Sequence, residues 1–140
     1  MLKGVEHIGH VVHLKNFERY VQQFQQVLGL ELDHIEDDTT QSNKIAYFKA
    51  GNVVLTLVAP LVEHSVYVEE LKHKGEGLHH IAFEVDDIER AFDHYKEKGW
   101  RFWSERPVAG AARGAKIAMS DPPQDSIGGV VFELVELTPR

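Results

Sequence analysis

Val130-Val131-Phe132-Glu133-Leu134-Val135 decides the fold, because an earlier stretch, Val53-Val54-Leu55-Thr56-Leu57-Val58, has the same pattern. Both are six-residue apolar runs with one polar residue at the fourth position, and both have the length and β-branched content of a buried strand. Working outward from this pair, three more correspondences appear in the same order. His7-Ile8-Gly9 answers to His80-Ile81-Ala82, Asn16-Phe17-Glu18-Arg19 to Asp87-Ile88-Glu89-Arg90, and Lys44-Ile45-Ala46 to Lys116-Ile117-Ala118. All are offset by about seventy residues, the mark of an internal duplication.

Each copy has the same internal order. A β-branched run, His7 to Val12 or Leu78 to Val85, is followed by an amphipathic helix. Phe17, Tyr20, Val21, Phe24, Val27 and Leu28 share one helical face, and Ile88, Ala91, Phe92 and Tyr95 share the other. Asn16 is the expected N-cap of the first helix, and Asp86 with Glu89 a capping box for the second. Gly29 and Gly99 stand where those helices end. Three strands then complete each copy, at residues 31–36, 44–50 and 53–59, and at 101–105, 115–120 and 129–136. Gly51-Asn52 marks a hairpin, whereas the matching loop from Asp121 to Gly129 is longer. Ser65 to Lys74 reads as an extra helix closed by Gly75. The expected architecture is α+β: two paired βαβββ modules forming an open-barrel cleft within one domain, 1–140. Module one covers about 1–60, a connector 61–76, and module two about 77–140.

Composition narrows the function. With 140 residues, 43% of them hydrophobic and 26% charged, the chain is of ordinary globular character. A net charge of −7 opposes nucleic-acid binding. No apolar run is long enough to span a bilayer, and no secretory leader is evident, so a cytoplasmic location is expected. The absence of cysteine excludes disulfides and thiolate metal sites. Nine histidines supply potential imidazole ligands if some converge.

The duplication indicates which ones. Side chains alternate along a strand, so equivalent positions of two related modules can face a shared pseudo-twofold axis. First strands offer His7 and His80; last strands offer Thr56 and Glu133. Glu133 interrupts an apolar strand, where an ionised carboxylate needs a partner, and a metal is an economical one. His79, adjacent to His80, is expected to face the other way. His10 is expected beneath the first helix, and His13, His34, His64, His73 and His94 toward solvent.

The segment Gly75-Glu76-Gly77-Leu78-His79-His80-Ile81-Ala82-Phe83-Glu84-Val85-Asp86-Asp87-Ile88 resembles the central signature of methylmalonyl-CoA epimerases. These belong with glyoxalase I in the vicinal oxygen chelate superfamily. Glu6-His7-Ile8-Gly9, Leu55-Thr56-Leu57-Val58-Ala59-Pro60 and Gly128 to Leu134 match in order, so the resemblance spans nearly the whole chain. It implies a homodimer and one divalent ion per chain held by His7, His80 and Glu133. Thr56 occupies a fourth ligand position usually filled by Gln or Glu. Two nitrogens and a carboxylate suit Zn²⁺, Co²⁺, Ni²⁺, Mn²⁺ or Fe²⁺.

The implied chemistry is proton abstraction next to the carbonyl of a small carbonyl or acyl-CoA substrate, with Glu133 as the catalytic base. The resemblance places the base glutamate of some epimerases at Ala46, and replaces a His-Pro-Lys before the last strand by Asp121-Pro122-Pro123. Arg106, Arg113 and Lys116, around the loop from Ala109 to Ala115, are candidate contacts for CoA phosphates. Alternatives are a glyoxalase I-type lyase, an iron dioxygenase or fosfomycin-type transferase, and a non-catalytic small-molecule-binding module.

Overall fold

The computed structural model describes residues 1–111, 114–121 and 128–138. The chain forms two compact units: His7–Leu78, and Met1–Glu6 together with His79–Arg140. Strand β1 (Leu2–Val11) contributes to both.

The His7–Leu78 unit contains the rest of β1, then α1 (Leu14–Gln26), β2 (Glu31–Asp38), β3 (Asn43–Ala50), β4 (Val53–Pro60) and α2 (Val66–Lys74). Its strands are ordered β2-β3-β4-β1; β1 runs parallel to β4, and the other neighbours are antiparallel. One face packs under α1, where Phe17 and Val21 meet Val12, Ala46, Phe48, Leu57 and Ala59. Full burial of side chains such as Phe48 and Leu57 is worth roughly 1.5–3 kcal/mol each. The hairpin falls at Gly51-Asn52 as expected, with Ala50 opposite Val53 and Gly51 at φ +66°, a conformation that glycine adopts without a Cβ clash. The Ser65 hydroxyl caps α2 by accepting the Tyr67 N–H, and Gly75 closes the helix.

The second unit contains β5 (Gly77–Val85, from His79 onward), α3 (Ile88–Glu97), β6 (Val108–Ala109), β7 (Lys116–Met119) and β8 (Val131–Glu136). The order β5-β8-β7-β6 repeats that of the first unit, again with the first and last strands parallel. Ile88, Ala91 and Phe92 of α3 pack on Val85, Ala118, Phe132 and Leu134. Lys3, in the Leu2–Glu6 portion of β1, pairs with Glu84 at 3.2 Å. The duplication read from the sequence is therefore a duplication of topology, each unit an α+β arrangement with the same strand order.

Several local expectations are corrected. The first helix starts at Leu14, with His13 as an N-cap whose side chain makes no capping bond. Asn16 lies inside the helix, and its amide donates to Glu76 instead. The helix ends at Gln26, leaving Val27 78% and Leu28 61% exposed rather than on the buried face. Asp87, not Asp86, caps α3, accepting the Arg90 N–H. No strand forms over 101–105. Phe102 makes one isolated bridge to Ser120, and the edge strand shrinks to Val108–Ala109. Pro107 removes a ladder donor just before it, and the Ser104 hydroxyl bonds the Arg106 carbonyl in a local turn. Among the described residues, no helix is long and apolar enough to cross a membrane.

Candidate metal centre

The ladders align the two copies residue by residue. In one unit His7 pairs with Val54 and Gly9 with Thr56; in the other His80 pairs with Val131 and Ala82 with Glu133. A histidine thus stands two residues before the position opposite Thr56, and again two before the position opposite Glu133. Register partners share a sheet face, so His80 and Glu133 project from the same face of neighbouring parallel strands.

Those two side chains come together. His80 is 2% and Glu133 4% exposed, and they offer ligand atoms within 4.8 Å of one another. A carboxylate so fully removed from water requires charged or hydrogen-bonding company. The donor set is one imidazole nitrogen and one carboxylate oxygen, which suits a borderline divalent cation. His7 is half-buried on β1 at the equivalent position of the other unit.

His79, expected to face away from His80, still touches it. It is buried, and its Nδ1 lies 2.8 Å from Nδ1 of His80. One ring must donate and the other accept. If His80 donates from Nδ1, its basic nitrogen is Nε2, the tautomer a metal ligand needs. Sequence reasoning discarded His79 on strand parity; its only clue was adjacency to a candidate ligand.

Thr56, at the position equivalent to Glu133, is buried, and its hydroxyl donates to the Ile8 carbonyl at 3.3 Å. Ala46, where a base glutamate was expected, lies on the opposite face. It is fully buried in the cluster beneath α1. On β3 the residue paired with Thr56 is Tyr47, and Ile45 shares its face. Across from them on β2, His34 pairs with Tyr47 and Glu36 with Ile45. The Tyr47 hydroxyl donates to Glu36 Oε1 at 2.6 Å, and the His34 ring stacks on Tyr47 at 4.4 Å. His34 is half exposed, but it belongs to this cluster rather than to solvent alone.

His10 does lie beneath α1, with its ring 6.0 Å from that of Phe24. Burial lowers its pKa, and the nearby Glu76 charge partly opposes this. Glu76, which the sequence reading gave no role, accepts three hydrogen bonds: from the His13 N–H at 2.9 Å, Asn16 Nδ2 at 3.0 Å and the Tyr20 hydroxyl at 2.6 Å. His13, His64, His73 and His94 are exposed as expected. Of the expected CoA contacts, Arg106 and Lys116 are exposed, one before β6 and the other opening β7, while Arg113 lies outside the described residues. Pro122 and Pro123 also lie outside them.

The chain is similar along nearly its whole length to several known proteins. Residues 6–119 match the model of the glyoxalase/bleomycin resistance protein/dioxygenase superfamily. The uncharacterized protein YqjC of Bacillus subtilis is 34% identical over 136 residues, which cover 96% of this chain and 93% of that protein. An ethylmalonyl-CoA/methylmalonyl-CoA epimerase of Cereibacter sphaeroides is 31% identical over 138 residues, covering 98% of this chain and 100% of that one. A solved Streptomyces coelicolor methylmalonyl-CoA epimerase variant, in complex with 2-nitronate-propionyl-CoA, matches with a TM-score of 0.86. Its identity is 29%, over 99% of this chain and 100% of that chain.

Proposed function

This chain belongs to the glyoxalase/bleomycin resistance protein/dioxygenase superfamily as a methylmalonyl-CoA epimerase-like member, and from that premise we propose that it is a divalent-metal-dependent epimerase of a 2-methyl acyl-CoA such as methylmalonyl-CoA. The observation that carries the reading is the buried His80–Glu133 pair on adjacent parallel strands. The complexes of the Streptomyces relative with a propionyl-CoA nitronate support the substrate class.

In this reading His80 and Glu133 are metal ligands, with His7 as the third by equivalence of position. Thr56 stands at the fourth position, where its hydroxyl proton is already engaged by Ile8. A bound divalent cation supplies Lewis-acid stabilisation of charge developing on a carbonyl oxygen, worth several kcal/mol. The remaining work falls to the chain. Burial around His80 and Glu133 excludes water, and His79 fixes the His80 ring. Glu133 takes the proton from the carbon next to the thioester carbonyl. Arg106 and Lys116 would meet the CoA phosphates as local positive charge on an acidic protein. The quaternary state implied by the resemblance is a homodimer.

The test is elemental analysis followed by hydrogen exchange. The purified chain should hold about one divalent ion, and this should fall sharply in His80→Ala, Glu133→Ala and His7→Ala variants. The loaded protein should exchange the C2 hydrogen of methylmalonyl-CoA with D₂O. Thioester formation from methylglyoxal and a thiol, without that exchange, would identify a glyoxalase-type lyase instead. Tight ligand binding with neither reaction would make the protein a binding module.

A further inference from the structure

The 101–105 segment forms no strand, yet its few backbone bonds fix how it lies. Phe102 bridges to Ser120, the Asp121 N–H donates to the Arg101 carbonyl at 3.0 Å, and the Trp103 N–H donates to the Met119 carbonyl at 2.8 Å. The segment therefore runs antiparallel along the edge of β7, with successive residues on opposite faces. Phe102 belongs to the α3 face, where its ring stacks 4.4 Å from that of Phe92. Trp103, one step on, belongs to the other. Its partner Met119 pairs with Glu133 on β8, and Glu133 pairs with Ala82 on β5. Ala82, Glu133, Met119 and Trp103 thus form one cross-strand row on a single face of the second unit.

Exposure rises along this row. Ala82 is fully buried, Glu133 is 4% exposed, Met119 8% and Trp103 44%. The chain has two tryptophans, and they play different parts. Trp100 packs edge-on against Phe132, with ring centres 4.6 Å apart, in the core beneath α3. Trp103 lies outside that cluster. Its half-exposed ring offers a flat apolar face and one N–H donor, at the solvent end of a row that begins beside a buried acid.

We propose, on the epimerase reading above, that Trp103 is a specificity-determining residue whose ring holds the pantetheine arm of the acyl-CoA thioester. Two strand spacings separate Glu133 from Trp103, about 10 Å. With the thioester carbonyl beside Glu133, a span of that order ends on the arm, beyond the acyl group and short of the nucleotide phosphates. The arm is a chain of methylenes interrupted by two amides. The indole matches it: the ring face covers methylenes, and Nε1–H donates to an amide carbonyl. Met119, unbranched and adaptable, forms the floor between acid and ring. Trp103 touches no reacting atom, so it favours a thioester that carries this arm over one that lacks it.

The test uses the full-length, metal-loaded chain with methylmalonyl thioesters of three thiols: CoA, pantetheine and ethanethiol. Trp103→Ala should lower kcat/KM by about tenfold for the CoA and pantetheine thioesters, chiefly through KM. Preference for these over the ethanethiol thioester should fall by the same factor. Trp103→Phe, which keeps a flat ring, should recover to within about threefold of wild type. Saturating CoA or pantetheine thioester should shield the wild type from acrylamide quenching of tryptophan fluorescence. The same addition should give no shielding in Trp103→Phe, whose remaining indole is Trp100.

A loss confined to the CoA thioester would put the ring on the nucleotide and overturn the assignment. Equal loss on all three thioesters would make Trp103 merely structural, and losses within about threefold throughout would leave it no role in selection; either result overturns the proposal. Should Trp103→Ala fail to fold, shielding of the wild type decides: the pantetheine thioester must protect and the ethanethiol thioester must not. If the wild type turns over none of the three with any divalent metal, the epimerase reading falls by itself. The shielding experiment then still separates a protein that grips the arm from one that does not.

Discussion

Replacing Glu76 by alanine removes the acceptor for the start of α1. Three donors lose their partner: the His13 N–H, Asn16 Nδ2 and the Tyr20 hydroxyl. Hydrogen bonds to a charged group contribute roughly 1.5–3 kcal/mol each when well sheltered. Here His13 is exposed and Asn16 and Tyr20 are half-buried, so water would replace part of what is lost. The expected loss is therefore about 2–3 kcal/mol rather than the sum of three full bonds. At roughly 3 °C per kcal/mol for a chain of this size, Tm should fall by about 6–9 °C. Urea denaturation and thermal melts at neutral pH measure both quantities.

Glu76→Gln, which keeps one acceptor oxygen, should show about half the loss and adds a pH signature. Burial raises the Glu76 pKa, but the bonds from Tyr20, Asn16 and His13 together outweigh it and hold the carboxyl below its ordinary 4.5. The unfolded chain then binds the proton more readily than the folded one. Charge-dependent stabilisation is complete above about pH 4.5 and is lost as pH falls through the folded value. The stability gap between wild type and Glu76→Gln should be flat near neutrality and should close in acid. A Glu76→Ala variant within about 0.5 kcal/mol of wild type, or a gap that ignores acid, would refute the reasoning.

Two further outcomes follow from the site. His79→Phe should weaken divalent-metal affinity by roughly 10–100-fold without abolishing it, as read by chelator competition; unchanged affinity would show that the 2.8 Å contact with His80 does not hold the ligand in place. Ala46→Glu should supply no base and should destabilise by about 3 kcal/mol or more, because it buries a charge under α1. Ile45→Glu, on the Thr56 face, should be tolerated better once metal is bound, and equal stability losses measured by denaturant titration would contradict that assignment of faces.

The sequence made the duplication legible because it is carried by strongly apolar strands and by one polar residue in each last strand. Register then follows from the pattern, and His80 and Glu133 come together as the repeat implied. What escaped is governed by interactions between residues distant in sequence or by departures from period two. The start of α1 is tied down by Glu76, about sixty residues away in the chain, through the His13 N–H and the Asn16 and Tyr20 side chains, so no local signature at Asn16 could reveal it. The 101–105 strand failed because an edge strand is weakly specified, and Pro107 with Ser104 redirects it. His34 and Glu36 were hidden by a bulge at Asp33, where the register slips between Leu32 and His34, since alternation from Leu32 puts them on the wrong face. Ala46 lies on the α1 face while its neighbours Ile45 and Tyr47 lie on the other, because one step along a strand reverses a side chain.

The slip at Asp33 also bears on how this sheet can diversify. Gaining or losing one residue there would redirect His34 and Glu36 together, while leaving every side chain in the stretch chemically unchanged. Relatives differing by one residue in this strand would therefore offer a ligand a different set of groups from nearly the same letters, a larger change than most point substitutions could achieve.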